Sequence, residues 1–246
     1  MSASHSGLDY VEAITAQRSD RLARSAFQNL VLQMAGAGAT LFDFGAGPGL
    51  DARFFAERGL MVRAYDVDPK MREYFSVYCR DFIQGGQVAL DGGTYQDFLT
   101  RKDDARVTLV TSNFAPLNLI GDLPGLFAKF HELTGPDGKV LASVLSPYYI
   151  GDMKYTWWWR NSRRIWRDGH FSVPGKQAPI VRRRLANYAD QCRPYFALTR
   201  VFPGRTPDAD GHPKGTDVRQ GVGNAWLKLT TCRFMFLLFE KQRPSA

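Results

Sequence analysis

The stretch LFDFGAGPGLDARFFAERGLMVRAYDVDP, residues 41–69, decides the fold. It opens with a short apolar run that ends in three glycines within five residues, Gly45, Gly47 and Gly49. Helical spacing over 50–58 follows, closed by Gly59, and a second apolar run over 61–65 stops at Asp66. Strand, turn, helix and strand in this order make a βαβ unit. Glycines at a strand end let the backbone approach a ligand where a Cβ would collide. The spacing is G-x-G-x-G, and Leu50 stands where the nicotinamide fingerprint G-x-G-x-x-G has its third glycine. Asp43 precedes the loop by two residues. An acid at the end of the next strand can accept both hydroxyls of a ribose, and Asp66 is placed for that.

The same rhythm extends outward. Residues 9–34 carry helical spacing, with Leu22, Ala26, Leu30 and Val31 as an apolar face and Gly36 and Gly38 as its end. A helix over 69–82 is opened by Asp68 as cap and Pro69 at its first position. Strands are predicted over 87–90, 107–111 and 139–145, with a helix over 123–133 and the turn Gly135-Pro136-Asp137-Gly138 between. Alternating strands and helices predict an α/β fold, a doubly wound and mostly parallel sheet with ligands at the carboxyl ends of its strands. The rhythm breaks after Pro147. Residues 148–181 hold Trp157, Trp158, Trp159, Trp166, Tyr148, Tyr149 and Tyr155 among many arginines. A helix over 182–191, a strand over 195–201, a loop over 204–223 and a strand over 230–240 complete the chain. The expected organisation is an N-terminal helical cap (1–39), a cofactor-binding core (40–147), an aromatic-rich insert after the fifth strand (148–181) and a C-terminal part of the same sheet (182–246).

Composition sets bounds on the class. With 246 residues, 44% hydrophobic and 23% charged, the chain is long enough for a real core and is not globally disordered. No apolar run approaches the roughly 18 residues of a membrane span. The opening MSASHSGLDY has no basic start followed by an apolar core, so no signal peptide is expected and the expected location is the cytoplasm. Cys79, Cys192 and Cys232 lie far apart and read as reduced thiols. The formal charge of +8 leaves two readings open: a basic solvated surface, or an anionic partner such as nucleic acid, a membrane surface or a carrier-bound substrate.

Four segments together resemble class I S-adenosylmethionine-dependent methyltransferases. Residues 43–49, DFGAGPG, look like the family's first motif, and 64–71, AYDVDPKM, its second. Residues 109–118, LVTSNFAPLN, resemble the segment after the fourth strand, and 133–140, LTGPDGKV, the turn into the fifth. The resemblance implies a Rossmann-like fold and S-adenosyl-L-methionine as cofactor. By the family pattern Gly45, Ala46, Gly47 and Gly49 line the methionine end, with Asp43 supporting the loop. Asp66 holds the ribose, Val67 packs on adenine, and Asn113 and Phe114 lie beside the sulfonium. Many members carry an acid after the position of Gly93. Here Thr94, Tyr95, Gln96 and Asp97 follow, and Thr94 or Asp97 with the Tyr95 backbone are the candidates for holding adenine. Tyr10, Arg18 and Arg21 of the first helix are candidates for reaching the cofactor carboxylate.

The acceptor is expected in the aromatic insert. Tyr148, Tyr149, Trp158 and Trp159 are the candidates for an apolar or aromatic pocket wall. His170 is the candidate base, His131 reads as structural and His212 as an exposed loop residue. No metal spacing such as H-E-x-x-H is present, so metal-assisted transfer is not expected. Arg182, Arg183 and Arg184 form either a solvated face or a dock for an acidic carrier protein, coenzyme A phosphates or nucleic acid. The expected function is methylation of a small molecule, on oxygen of an apolar or aromatic acceptor. The alternatives are a nucleic acid (RNA) methyltransferase and a non-catalytic protein of the same fold. Ser112-Asn113-Phe114-Ala115 stands where amino-methylating nucleic acid enzymes commonly carry Asn-Pro-Pro-Tyr/Phe, which makes nucleic acid the lesser expectation.

Overall fold

The computed structural model describes residues 17–102, 106–175, 178–204, 215–218 and 229–242. Tyr10 and His212, singled out in the sequence, lie outside them. In chain order the elements are α1 (Arg18–Met34), β1 (Thr40–Phe44), α2 (Leu50–Ala56), β2 (Met61–Tyr65), α3 (Pro69–Tyr78) and α4 (Arg80–Gln84). Then come β3 (Val88–Asp91), α5 (Tyr95–Thr100), β4 (Val107–Ser112), α6 (Leu123–Leu133), β5 (Thr134–Leu145) and α7 (Thr156–Arg167). The hairpin β6 (His170–Val173) and β7 (Ile180–Arg183) precedes α8 (Leu185–Gln191), β8 (Phe196–Pro203), β9 (Thr216–Asp217) and β10 (Phe234–Lys241).

Eight strands form one sheet in the order β3-β2-β1-β4-β5-β10-β8-β9, and β6 and β7 pair separately. β1 pairs in parallel with β2 and β4, β2 with β3, and β4 with β5, while β10 runs antiparallel between β5 and β8. The chain winds one way from β1 to β3 and the other way from β4 onward. The crevice for a ligand therefore lies between the carboxyl ends of β1 and β4.

Both faces of the sheet are covered, which explains the near-continuous apolar strands. Phe42 and Phe44 of β1 pack with Phe127 and Phe130 of α6, and with α5 and α8. Leu41 faces the other layer, with Ala26, Phe27 and Leu30 of α1, Phe55 of α2 and Phe75 of α3. Among the described residues no helix is long and apolar enough to cross a membrane. All three cysteines are buried thiols outside any disulfide. Burial pushes the Cys79 thiol up to about 12 and the Cys192 thiol up to about 11.

Several boundaries depart from the sequence reading. Leu22 is exposed; the buried stripe of α1 runs through Ala23, Ala26, Phe27, Leu30 and Val31, one residue round the helix. The helix expected over 69–82 breaks at Cys79. β5 starts at Thr134 because the Gly-Pro-Asp-Gly turn is a bulge, with Val107 opposite Thr134 and Leu109 opposite Lys139. The helix expected over 182–191 begins only at Leu185, because Arg182 and Arg183 pair with Phe171 and His170 in the hairpin.

Candidate active site

The loop after β1 is shaped by backbone. Gly45, Gly47 and Gly49 have φ of +72°, +55° and +89°, a region that side chains disfavour. Space also excludes a side chain at two of them. A Cβ on Gly45 would sit 2.5 Å from Pro116 Cγ, and one on Gly49 would sit 2.8 Å from Phe75 Cδ2 and Cys79 Sγ. The amides of Gly45 and Ala46 donate to the Tyr65 carbonyl at 2.8 and 3.0 Å, which ties the loop to the end of β2.

Asp66 sits at that end, largely buried. Its Oδ2 accepts from Gly47 N at 2.7 Å and its Oδ1 from Asp68 N at 2.8 Å. Burial raises its pKa, opposed by these two bonds. Each oxygen has taken one backbone donor, so each keeps a lone pair for a further donor. The next side chain, Val67, is 56% exposed although apolar. A fixed carboxylate beside an uncovered apolar side chain has the donor-set chemistry that a ribose diol and an adenine ring require. The residues present fit S-adenosylmethionine on that ground.

Behind the loop lies a buried polar network. Asp43 Oδ1 accepts from Thr111 Oγ1 at 3.0 Å, while Oδ2 is buried without a partner. Burial, then the nearby Asp51, push the Asp43 carboxyl up to about 7. Asp51, in the first turn of α2, accepts from three side chains: Arg24 Nη1 and Gln28 Nε2 of α1 and Asn113 Nδ2 after β4. The Gln28 and Asn113 bonds measure 2.7 and 3.0 Å. The Arg24 guanidinium also lies over the Phe114 ring, 4.4 Å from its centre. Asn113 Oδ1 accepts from Phe114 N at 2.9 Å, and Phe114 and Ala115 take φ of +60° and +72°. Two successive non-glycine residues in that region are strained, and the Asp51 network helps hold them there. Arg24, Gln28 and Asp51 were not singled out in the sequence. An acid two residues past the last glycine, at a helix start, was the available signal. Arg18 and Arg21 are exposed; Arg24 is the arginine of α1 that meets the loop.

At the far end of the crevice, Thr94 and Asp97 form a reciprocal cap on α5. Asp97 N donates to Thr94 Oγ1 at 3.1 Å and Thr94 N to Asp97 Oδ2 at 2.8 Å. Tyr95 points its ring at Phe44 and Phe98.

A cleft of about 680 Å³ opens between α1, the segment after β5 and the start of β10. Tyr149, Tyr155, Trp157, Arg182, Arg233 and Phe234 are among its walls. The Phe234 ring meets Phe114 edge-on at 5.2 Å, so one ring separates the cleft from the strained turn after β4. Of the four expected wall residues, Tyr149 is on this cleft. Tyr148 is not; it packs inward with Trp157 and Ile165. Trp158 and Trp159 are not on the wall either. At 100° per residue three successive tryptophans cannot face one way, and Trp157 shares the inner face of α7 with Asn161 and Ile165.

Two further expectations are corrected. His170 lies on the outward side of the hairpin, where burial falls on Phe171 and Val173. It lines a separate recess with Arg164, Arg167 and Asp168, and does not reach the crevice. The arginine triplet is not a surface dock. Arg182 is buried on Ser146 O and Asp152 Oδ2 at 2.7 and 2.6 Å, and Arg183 on Ile120 O at 2.6 Å. The His131 ring packs at a tilt against Tyr195, away from the crevice.

Comparison with known proteins agrees with this geometry. No curated protein matches the sequence significantly. Solved structures with the same fold include a TehB-like SAM-dependent methyltransferase from Corynebacterium glutamicum, 17% identical, covering 95% of this chain and 99% of that one, TM-score 0.56. Another is the 1,6-didemethyltoxoflavin-N1-methyltransferase of Burkholderia thailandensis, also 17% identical, covering 96% and 87%, TM-score 0.61. The CcbJ methyltransferase of Streptomyces caelestis is 14% identical, covering 90% of each chain, TM-score 0.60. At these identities the likeness is one of fold. The family model described as "Methyltransferase domain" matches residues 15–178. That match takes in α1, the glycine loop, the crevice between β1 and β4, and the tryptophan segment. The chain therefore belongs to the methyltransferase domain family and is a class I S-adenosylmethionine-dependent methyltransferase.

Proposed function

We propose that the protein methylates a small aromatic or apolar acceptor held in the cleft walled by Tyr149, Trp157 and Phe234. The observation that carries this reading is the position of the cleft, one ring away from the strained Phe114 turn. When bound, S-adenosylmethionine supplies an electrophilic methyl group on a positively charged sulfur. In this reading Asp66 holds the ribose hydroxyls, Val67 covers the adenine face, and the glycine loop receives the amino acid end. The Thr94–Asp97 cap leaves adenine its contact with Val67 and the backbone near Tyr95. The Asp51 network fixes Asn113 and Phe114, so the acceptor meets a rigid wall. Alignment and exclusion of water are then the chain's contributions to rate.

The acceptor atom in this reading is an oxygen of low pKa, such as a carboxylic acid or an electron-poor phenol. Among the described residues lining the cleft there is no histidine, and Asp20 and Asp152 face Arg233 and Arg182 at 3.7 and 2.6 Å. An acceptor that ionises by itself needs no base from the chain. The Burkholderia neighbour holds 1,6-didemethyltoxoflavin and S-adenosylhomocysteine, which supports a small acceptor on this fold. With Arg182 and Arg183 buried, a carrier-bound acceptor loses the arginine dock that suggested it. The test is transfer of labelled methyl from S-adenosylmethionine to a cell extract, separated into small molecules, protein and RNA. Label in the small-molecule fraction is expected; label confined to RNA or protein overturns the reading.

A further inference from the structure

We propose that residues 150–167 dock this enzyme on an anionic lipid surface. Five of the ten exposed large apolar side chains among the described residues fall in this one segment: Ile150, Met153, Tyr155, Trp159 and Trp166. Trp159 and Trp166 are 58% and 64% exposed. The buried face of α7 is Asn161 and Ile165; Trp159, Arg160, Arg163 and Trp166 are exposed away from it, while Arg164, which donates to Asn161 Oδ1, and Arg167 turn to the recess beside His170. Such a face does not fit water. Trp159 donates its indole N–H to Met153 O at 2.7 Å, so the only polar atom of that exposed ring is already used within the chain.

The charges decide the sign of the partner. Asp168 is held by Arg167 through two bonds of 2.7 and 2.8 Å, and Asp152 is buried on Arg182. Arg160, Arg163 and Lys154 have no carboxylate partner among the described residues, so the surface attracts anions. The apolar side chains decide between lipid and nucleic acid. Aromatic rings suit both, but Ile150 and Met153 offer no plane on which a base can stack. Aliphatic and indole groups beside arginines are the composition of helices that lie in a bilayer interface. At twelve residues α7 is far too short to span a membrane, and it would lie along the surface. Lys154 and Tyr155 also belong to the cleft wall, so a docked enzyme presents its cleft at the lipid surface.

The test uses the full chain and sedimentation with vesicles, either pure phosphatidylcholine or with about one third phosphatidylglycerol, at low and high salt. Binding is expected only to the anionic vesicles, and salt should release it. Arg160→Gln with Arg163→Gln should weaken it about fivefold per charge, roughly 25-fold together. Trp159→Ser should weaken it severalfold at every salt concentration. These positions are exposed, and unchanged thermal melting verifies that each variant folds. Equal binding to neutral and anionic vesicles, or binding indifferent to the arginine variant, overturns the proposal. So does tighter binding of a single-stranded RNA oligonucleotide through the same arginines, which would make this a nucleic acid surface.

Discussion

The glycine-loop end of the crevice and the tryptophan segment are built by different means. At the loop, position is set by backbone: three positive-φ glycines, two amides on the Tyr65 carbonyl, and carboxylates that bond across elements. In the tryptophan segment, position is set by which face of a helix turns inward, and Trp159 and Trp166 stay in solvent. The first construction is rigid and tolerates few residues. The second keeps one of its three successive indoles, Trp157, on the cleft and turns Trp158 and Trp159 away from it. A fold that receives one cofactor but serves many acceptors gains from such a division.

The difference can be attacked first through pH. The folded Asp43 carboxyl is pushed up to about 7, above its unfolded value near 4, so the native state holds the proton more tightly. The stability that this contributes is complete below about pH 4 and is lost as pH rises through about 7. A shift of this size amounts to as much as about 4 kcal/mol. Urea unfolding across that range should show the loss, and Asp43→Asn should flatten it. The tryptophan segment has no counterpart, since its Asp168 is exposed and held below the usual range by Arg167. An unchanged slope in Asp43→Asn would remove the buried carboxylate from the account.

The next effect is on the Asp51 network. Asp51→Ala strands Arg24, Gln28 and Asn113 together and should cost about 3 kcal/mol. For a chain of this size that is a fall in Tm of roughly 6–12 °C. Asp168→Ala, which breaks an exposed pair on the other region, should leave Tm within about 2 °C. Equal falls would mean that the two regions are not built differently.

Much of the loop could be read from sequence because its geometry dictates residue type. A positive φ with a neighbour at 2.5–2.8 Å leaves only glycine, so Gly45 and Gly49 announce themselves. Asp66 is legible because it ends a strand of an alternating pattern. The doubly wound, mostly parallel character of the sheet followed from that alternation as well. Asp51 was not legible, because its partners Arg24 and Gln28 lie 27 and 23 residues away and any exposed helix carries such residues. Phe114 and Ala115 hide their conformation, since neither residue type signals it. In the second region composition showed the aromatic cluster but not its phase. Trp158 and Trp159 look equivalent to Trp157 in a row of letters, and a turn of 100° separates each from the next. His170 failed for the same reason with period two. Arg182 and Arg183 failed because an arginine that caps buried carbonyls reads as a surface charge.

The phase of α7 gives the third test. Trp157→Ala should raise KM for the acceptor through loss of about 2 kcal/mol, near thirtyfold. Trp158→Ala and Trp159→Ala should leave KM for a free small acceptor unchanged. Equal effects of all three would place the acceptor elsewhere.

The most direct measurement is calorimetric titration of S-adenosylhomocysteine into the parent protein, Asp66→Ala and Trp157→Ala. In the proposed function the cofactor occupies the backbone-built end and the acceptor the other. Asp66→Ala should weaken binding about tenfold or more, as loss of charge-assisted bonds requires, and Trp157→Ala should bind as the parent does. Unchanged affinity in a folded Asp66→Ala, or an equal loss in Trp157→Ala, would contradict the assignment.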